Sequence, residues 1–212
     1  MQIDHIFIRA TPGAPEAEAL RAFGLTEGSG NVHPGQGTAN RRFFFVNGFL
    51  ELLWIADEAE VASPLTAPTR LQERLSAGSA ASPFGICFRD ADADADAGTG
   101  AAAFPIFDYK PSYLPPGMSI GIASEAPLSE PMWFYLDGGK SPPPPAEHTA
   151  GISRITAVRC TLPSAVGLSA AALASGINFA EGTEHLLEIS FDGETRGTMH
   201  DFRPGLPLIF RT

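Results

Sequence analysis

The chain has 212 residues, 44% of them hydrophobic and 18% charged, which suits one large or two small globular domains and excludes a disordered polypeptide. Its net charge of −10 and pI near 4.9, with no basic cluster, argue against a nucleic acid or an anionic membrane as partner. No apolar run approaches the roughly 20 residues of a membrane span. The N-terminal stretch "MQIDHIFIRA" lacks the basic and apolar regions of a signal peptide, and Cys87 and Cys160 sit singly in apolar runs, as buried thiols of a reducing compartment do. The expectation is a cytoplasmic protein.

In chain order, "QIDHIFIRA" reads as a strand and "APEAEALRAFG" as a short helix, with Pro15 in its first turn and Gly24 as its stop. A further strand is expected within "TEGSGNV". "RRFFFV" and "FLELLWIA" follow as strands, with Asn47-Gly48 between them as a tight hairpin turn. "APTRLQERLSAG" is a second helix. The pattern then returns: the strand "SPFGICFRD", an acidic run "ADADADAGTGAAA" read as a worn-down helix, and the strands "FPIFDY", "GMSIGIA" and "EPMWFYLD". Four consecutive prolines make "GGKSPPPPAEHTAG" a linker, in which His148 is expected to be solvated. A third round begins with "ISRITAVRCTLP", continues through the helix "SAVGLSAAALASG", and closes on "INFAEG", "EHLLEISFD", "GTMHDFRP" and "LPLIFR". The repeating unit is βαβββ. Two such modules occupy residues 1–64 and 65–138 of an N-terminal domain (1–140). A linker (141–150) and a third βαβββ-like module (151–212), packed on the first two, complete the chain.

Strand side chains alternate between faces. Ile3, His5, Phe7 and Arg9 therefore share one face of the first strand, and Phe49, Glu51, Leu53 and Ile55 one face of the fourth. A carboxylate in such an apolar run needs a partner, a cation or a ligand to offset its desolvation. Where the fold brings the two faces together, the imidazole and the carboxylate could ligate zinc, iron, manganese or nickel, act as a metal-free acid–base pair, or simply bond to each other. The loop "HPGQGTAN" adds His33, Gln36, Thr38 and Asn40 as hydrogen-bonding groups, with Gly35 and Gly37 allowing close backbone approach to a ligand. By alternation one of Arg41 and Arg42 faces the same side, and an arginine there suits an anionic or oxygen-rich ligand. Trp133 and Tyr135 share a face and are candidates for the apolar wall of a ligand pocket or for core. His185 and His200 read as structural, and the alternating aspartates from Asp90 as a solvated run, since they lack the glycine and terminal glutamate of a calcium loop. No serine-hydrolase elbow is present.

The strand order, His5 on strand one and Glu51 on strand four resemble the vicinal-oxygen-chelate superfamily. Within it, "HPGQGTANRRFFFVNGFLELLW", "SPFGICFR" and "EPMWFYLD" resemble the glyoxalase-like domain family. The resemblance implies an α+β fold: two modules joined edge to edge into an open cup of eight strands, helices outside, and a site for one divalent metal and a small ligand inside. Its members include lyases, isomerases, dioxygenases and binding proteins that do no chemistry. A complete metal site of that kind takes ligands from both modules. Here alignment places Gly85 in the second module and Ile155 in the third where the first has His5, and Pro131 where it has Glu51; His33 is the candidate third ligand. The expected function is an enzyme, metal-assisted or with Glu51 as base and His5 orienting it, that acts on a small oxygenated molecule. The alternative is a metal-free protein that sequesters an aromatic or antibiotic-like ligand. A free sheet edge in the third module would allow a homodimer.

Overall fold

The computed structural model describes residues 1–90, 102–136, 147–165 and 167–212. The acidic run expected to be a helix, apart from Asp90 and its last residues, and the four prolines of the linker lie outside the described residues.

Two sheets make up the structure. The first has eight strands in the order β2-β3-β4-β1-β5-β8-β7-β6 and is curled into an open half-barrel. Its first module is β1 (Gln2–Arg9), α1 (Ala17–Phe23), β2 (Asn31–His33), β3 (Thr38–Phe45) and β4 (Gly48–Ile55). Its second is β5 (Phe84–Arg89), β6 (Ile106–Tyr109), β7 (Ile120–Ala123) and β8 (Met132–Leu136). In each, the first strand runs parallel to the last, and the modules join through the antiparallel pair β1–β5. Between them lie α2 (Glu58–Val61) and α3 (Leu71–Leu75). Helix α1 ends where the sequence places its stop: Gly24 takes φ 108°, and its backbone N–H caps carbonyls of the last turn.

The second sheet holds β9 (Ile155–Leu162), β10 (Asn178–Glu181), β11 (Leu186–Phe191), β12 (Met199–Asp201) and β13 (Leu208–Arg211), with α4 (Ala170–Ala174) after β9. Its order is β10-β9-β11-β13-β12. Here β9 pairs in parallel with β10 and antiparallel with β11, which in turn runs parallel to β13. Because β10 takes the place beside β9 directly after α4, the remaining strands extend from the other edge of β9. The small sheet is thus arranged around an antiparallel pair, as the large one is around β1–β5.

The two faces of the large sheet are buried in different ways. On one, Ile6, Phe43, Phe45, Leu50, Ile86 and Trp133 pack with α1 and the C-terminal sheet into a single core. The ring of Phe45 meets Phe191 at 4.8 Å, Trp133 meets Phe179 at 6.0 Å, and Phe23 of α1 meets Phe210 at 5.5 Å. Glu130 joins the sheets by accepting from Trp133 Nε1 (2.9 Å), Ser169 N (2.7 Å) and Ser169 Oγ (2.5 Å). The other face, with Phe7, Leu53, Leu71, Met132 and Phe134, is packed by α2, α3 and the β6–β7 region. Helix α3 therefore lies on the inner face of the cup rather than outside it.

The β3–β4 hairpin forms, but its turn is Val46-Asn47: Phe45 pairs with Gly48, so Gly48 already belongs to β4. Neither turn residue has a positive φ, so this is not the mirror-image turn that Asn-Gly implies. Asn47 is used elsewhere. Its side chain donates to Ile155 O (2.8 Å) and accepts from Ile155 N (3.0 Å), and Val46 N donates to Ser153 O (2.8 Å), pinning the hairpin tip to the C-terminal segment. Gly48 is required for another reason, since a Cβ there would lie 2.7 Å from the carbonyl oxygen of Asp4.

His148 is buried rather than solvated. Its Nε2–H donates to Phe44 O (2.9 Å) while Nδ1 accepts from Thr26 N (3.0 Å). His185 faces Ala80 O, and His200 is exposed and packs on Phe23 and Phe202. Both cysteines are buried and unpaired, and burial pushes the Cys160 thiol up to about 12. No helix among the described residues is long and apolar enough to cross a membrane.

Two outcomes follow from this packing. Phe191→Ala opens a cavity between the sheets and is expected to lower the unfolding free energy by about 3–5 kcal/mol. An unchanged denaturant midpoint would show that the C-terminal sheet is not docked. Burial also lowers the pKa values of His148 and His185 below 6.5, their backbone hydrogen bonds opposing this more weakly. The unfolded chain therefore binds protons that the native protein does not as pH falls through the window just beneath 6.5, and stability is lost there. Carboxylates titrate near 4 in the unfolded chain and stay outside that window. Relief of self-repulsion in an acidic chain acts oppositely, so the comparison is with His148→Gln. The drop in urea midpoint between pH 7.5 and 5.5 should be smaller in that variant; an equal drop would remove His148 as its source.

Candidate functional site

A cavity of about 160 Å³ lies on the inner face of the large sheet. Alternation along each strand decides what lines it. From β1 come His5 and Phe7; from β4, Phe49, Glu51 and Leu53; from β3, Asn40 and Arg42; from β8, Met132, Phe134 and Leu136. Leu71 of α3 closes one side, and Tyr109, Tyr113 and Leu114 close another. Most of this wall is apolar. The polar groups gather at one end.

That end is a connected network. Arg89 Nη1 lies 3.3 Å from Asp4 Oδ2, and Asp4 Oδ1 is 2.6 Å from His5 Nδ1. Across the ring, His5 Nε2 stands 3.8 Å from Glu51 Oε1. The other carboxylate oxygen accepts from Asn40 Nδ2, and Asn40 Oδ1 accepts from Asn31 N at 2.8 Å. The imidazole is clamped sideways as well, stacked on Phe49 (centroids 4.4 Å) and met edge-on by Phe134 (5.2 Å). All of Asp4, His5, Asn40 and Glu51 are buried. With Nδ1–H given to Asp4, the ring presents Nε2 to the cavity and to Glu51.

A second polar group forms beside it. Thr38 Oγ1 accepts from Gln36 Nε2 (2.7 Å) and shares a hydrogen bond of 2.8 Å with His33 Nδ1. Gln36 Oε1 accepts from Tyr113 OH (3.2 Å), and Tyr113 packs on the His33 ring at 4.8 Å. Burial holds the His33 pKa below the ordinary value, with Glu51 opposing, and burial raises the Tyr113 phenol.

Several sequence expectations are corrected. Trp133 and Tyr135 point to the opposite face, into the core shared with the C-terminal sheet; Met132, Phe134 and Leu136, one residue out of phase, line the cavity instead. Arg41 also points away. It binds Glu27 through two hydrogen bonds of 2.6 Å, Glu18 at 2.9 Å and Ala14 O at 3.0 Å, and these bonds raise its pKa. Thr38 lies behind the lining and braces His33 and Gln36 rather than meeting a ligand. Gly35 and Gly37 both have positive φ, but their N–H groups serve the loop: Gly35 N donates to Glu60 Oε2 (2.7 Å) and Gly37 N to His33 O (3.1 Å). Sequence reasoning missed Asp4, which alternation assigns to the other face, and Leu114, whose loop position carries no periodic signal; Tyr109 and Tyr113, read from the sequence as loop aromatics of either core or a pocket wall, line the cavity, Tyr109 from the end of β6.

His5 and Glu51 are the candidate metal donors in the cavity wall. A gap of 3.8 Å between His5 Nε2 and Glu51 Oε1 can admit one ion bonded at ~2.1 Å to each. The second module supplies no third ligand of the expected kind. Strand register puts Cys87 opposite His5 and Phe134 opposite Cys87, while Pro131 precedes β8 altogether. The Cys87 thiol is fully buried, and burial, with Asp4 and Glu51 adding to it, pushes its pKa well up. Among the described residues one group of three possible donors occurs, Asp4, His5 and Cys87. His33 is not in it. The 2.6 Å between Asp4 Oδ1 and His5 Nδ1 is a hydrogen bond, too close for two ligands of one ion at ~2.1 Å each. The residues present fit two ligands of a metal, one short of the usual three.

Residues 3–106 match the model of the glyoxalase-like domain. No curated protein matches the chain. Among solved structures it is similar to a hypothetical protein from Staphylococcus aureus, with 11% identity, 98% of each chain covered and a TM-score of 0.48. The matched stretch holds the polar residues from His5 to Glu51 that line the cavity, and residues 3–106 thus carry a glyoxalase-like domain, consistent with the vicinal-oxygen-chelate superfamily.

Proposed function

We propose that the cavity takes up one small, largely apolar molecule, and that Glu51 and His5 share or move a proton at an oxygen of that molecule or at the carbon beside it. The observation that carries this reading is the facing pair, His5 Nε2 and Glu51 Oε1, 3.8 Å apart in the wall of a mostly apolar cavity. In neutral His5, Nδ1–H is given to Asp4, so two acceptors face each other with no hydrogen between them. That distance is too long for a direct hydrogen bond and suits a donor bound between them, such as a hydroxyl or an enol. Protonated His5 closes the same gap. The pair can thus hold a proton on either side of a transfer, with Glu51 as base and Asp4 fixing the ring that receives or returns the proton.

Size limits the ligand. About 160 Å³ is close to the ~150 Å³ of an engineered apolar cavity that holds benzene, so a monocyclic or short branched molecule fits. A proton shift next to a carbonyl, as in an isomerase or lyase, is the reaction class that this arrangement serves without a third metal ligand. A metal held by His5 and Glu51 would supply Lewis-acid polarisation of the same oxygen. The second reading is sequestration without chemistry. It is favoured by the second module, whose contributions to the cavity are apolar or phenolic.

Glu51→Gln separates the two. It removes the base while keeping the shape and the bond partners of the side chain. Under the first reading it keeps the melting temperature and ligand binding but lowers turnover about 10²–10⁴-fold, followed by exchange of the substrate's acidic C–H for deuterium. Under sequestration no exchange occurs in either protein and the variant changes affinity alone. A variant that binds and exchanges like the parent would end the assignment of Glu51.

A further inference from the structure

Arg42 is the one cation lining the cavity among the described residues, and its charge is not neutralised there. It lies directly across the β3–β4 ladder from Glu51, on the same face. Opposite charges at such a position ordinarily pair. These do not. Glu51 is drawn inward by Asn40 and faces His5. Arg42 turns the other way: its Nε donates to Ser29 O at 2.7 Å and its Nη2 to Ser29 Oγ at 3.1 Å. The guanidinium lies over the rings of Phe44 and Phe49, at 5.1 and 5.8 Å from their centroids. Its Nη1 makes no hydrogen bond among the described residues. The group is therefore fixed along one edge and open along the other.

Phe49 separates the two polar features of the wall, since one ring contacts both Arg42 and His5. A half-buried cation with no carboxylate is costly, and burial does lower its pKa, with Glu51 partly opposing. An anionic ligand group offsets that cost.

We infer that the ligand is a small carboxylate with an apolar, monocyclic body, and that Arg42 is the residue that selects it. The carboxylate meets the open edge of the guanidinium, the body fills the apolar wall, and the far end reaches towards His5 and Glu51. A phosphate is a poorer match, because a dianion in a cavity of about 160 Å³ would meet one cation and the carboxylate of Glu51. This inference rests on the reading of the cavity as a ligand site and adds the charge of the ligand to it.

The test uses two probes of one body, benzoate and benzyl alcohol, titrated calorimetrically at pH 7 into the full chain, Arg42→Gln and Arg42→Lys. The parent should bind benzoate about tenfold or more tighter than benzyl alcohol. Arg42→Gln should erase that preference, the larger loss falling on benzoate, and Arg42→Lys should keep part of it. A melting temperature close to the parent's shows that the variants are folded. If the parent binds both probes equally, or if Arg42→Gln keeps the preference, the role of Arg42 is wrong and the cavity still stands as a binding site. If neither probe binds the parent, both readings fall together.

Discussion

Strands β1, β4, β5 and β8 are buried on both faces, and the rest of the molecule follows from what covers each one. One covering is complete. Helix α1 and the C-terminal sheet leave Ile6, Leu50, Ile86 and Trp133 with no exposed surface. The hairpin tip at Val46-Asn47 and the carboxylate of Glu130 tie that covering down by hydrogen bonds, which have a fixed length and direction where apolar packing alone does not. The other covering leaves a cavity. Short elements such as α3 and the loop carrying Tyr113 bridge the inner face without filling it. A sheet made rigid from behind can hold polar groups in fixed positions in front.

Such groups are costly to bury, and the network around His5 shows how the cost is contained. Each has a partner reached through a different element: Arg89 on β5, Asp4 and His5 on β1, Glu51 on β4, Asn40 on β3. Neither the ring of His5 nor the carboxylate of Glu51 is free to turn, because each has a second contact that fixes it. Preorganisation of this kind means that little rearrangement is needed when a proton moves or a ligand arrives.

The strands and the shared faces of His5 with Phe7 and of Glu51 with Leu53 were legible because they depend on local rules, the period of two and the apolar run; the same rule left open which of Arg41 and Arg42 faces inward, and Asn40 read as a loop residue. What failed depended on the other side of the sheet. Trp133 and Tyr135 look like ligand-binding aromatics, yet the C-terminal sheet needs them as its own core, and no local pattern distinguishes one apolar face from another. Asn47 looks like a turn former, yet its amide is used by Ile155, 108 positions along the chain. His148 sits next to prolines and reads as solvated, yet the carbonyl of Phe44 and the amide of Thr26 enclose it. In each case the deciding neighbour is distant in sequence, and a single sequence carries no record of it.

The two modules have the same strand order but different chemistry. Across the β1–β5 seam, the first module contributes His5 and Glu51, and the second contributes Cys87, Met132 and Phe134 at the facing positions. A symmetric pair of donors would enclose an ion from both sides. An asymmetric cup instead gives a ligand two ends, one for a polar group and one for an apolar body. Phe134 does both jobs at once, forming the apolar wall and packing edge-on against His5. The second module thus acts on the chemistry indirectly, by bracing the imidazole where it faces the cavity.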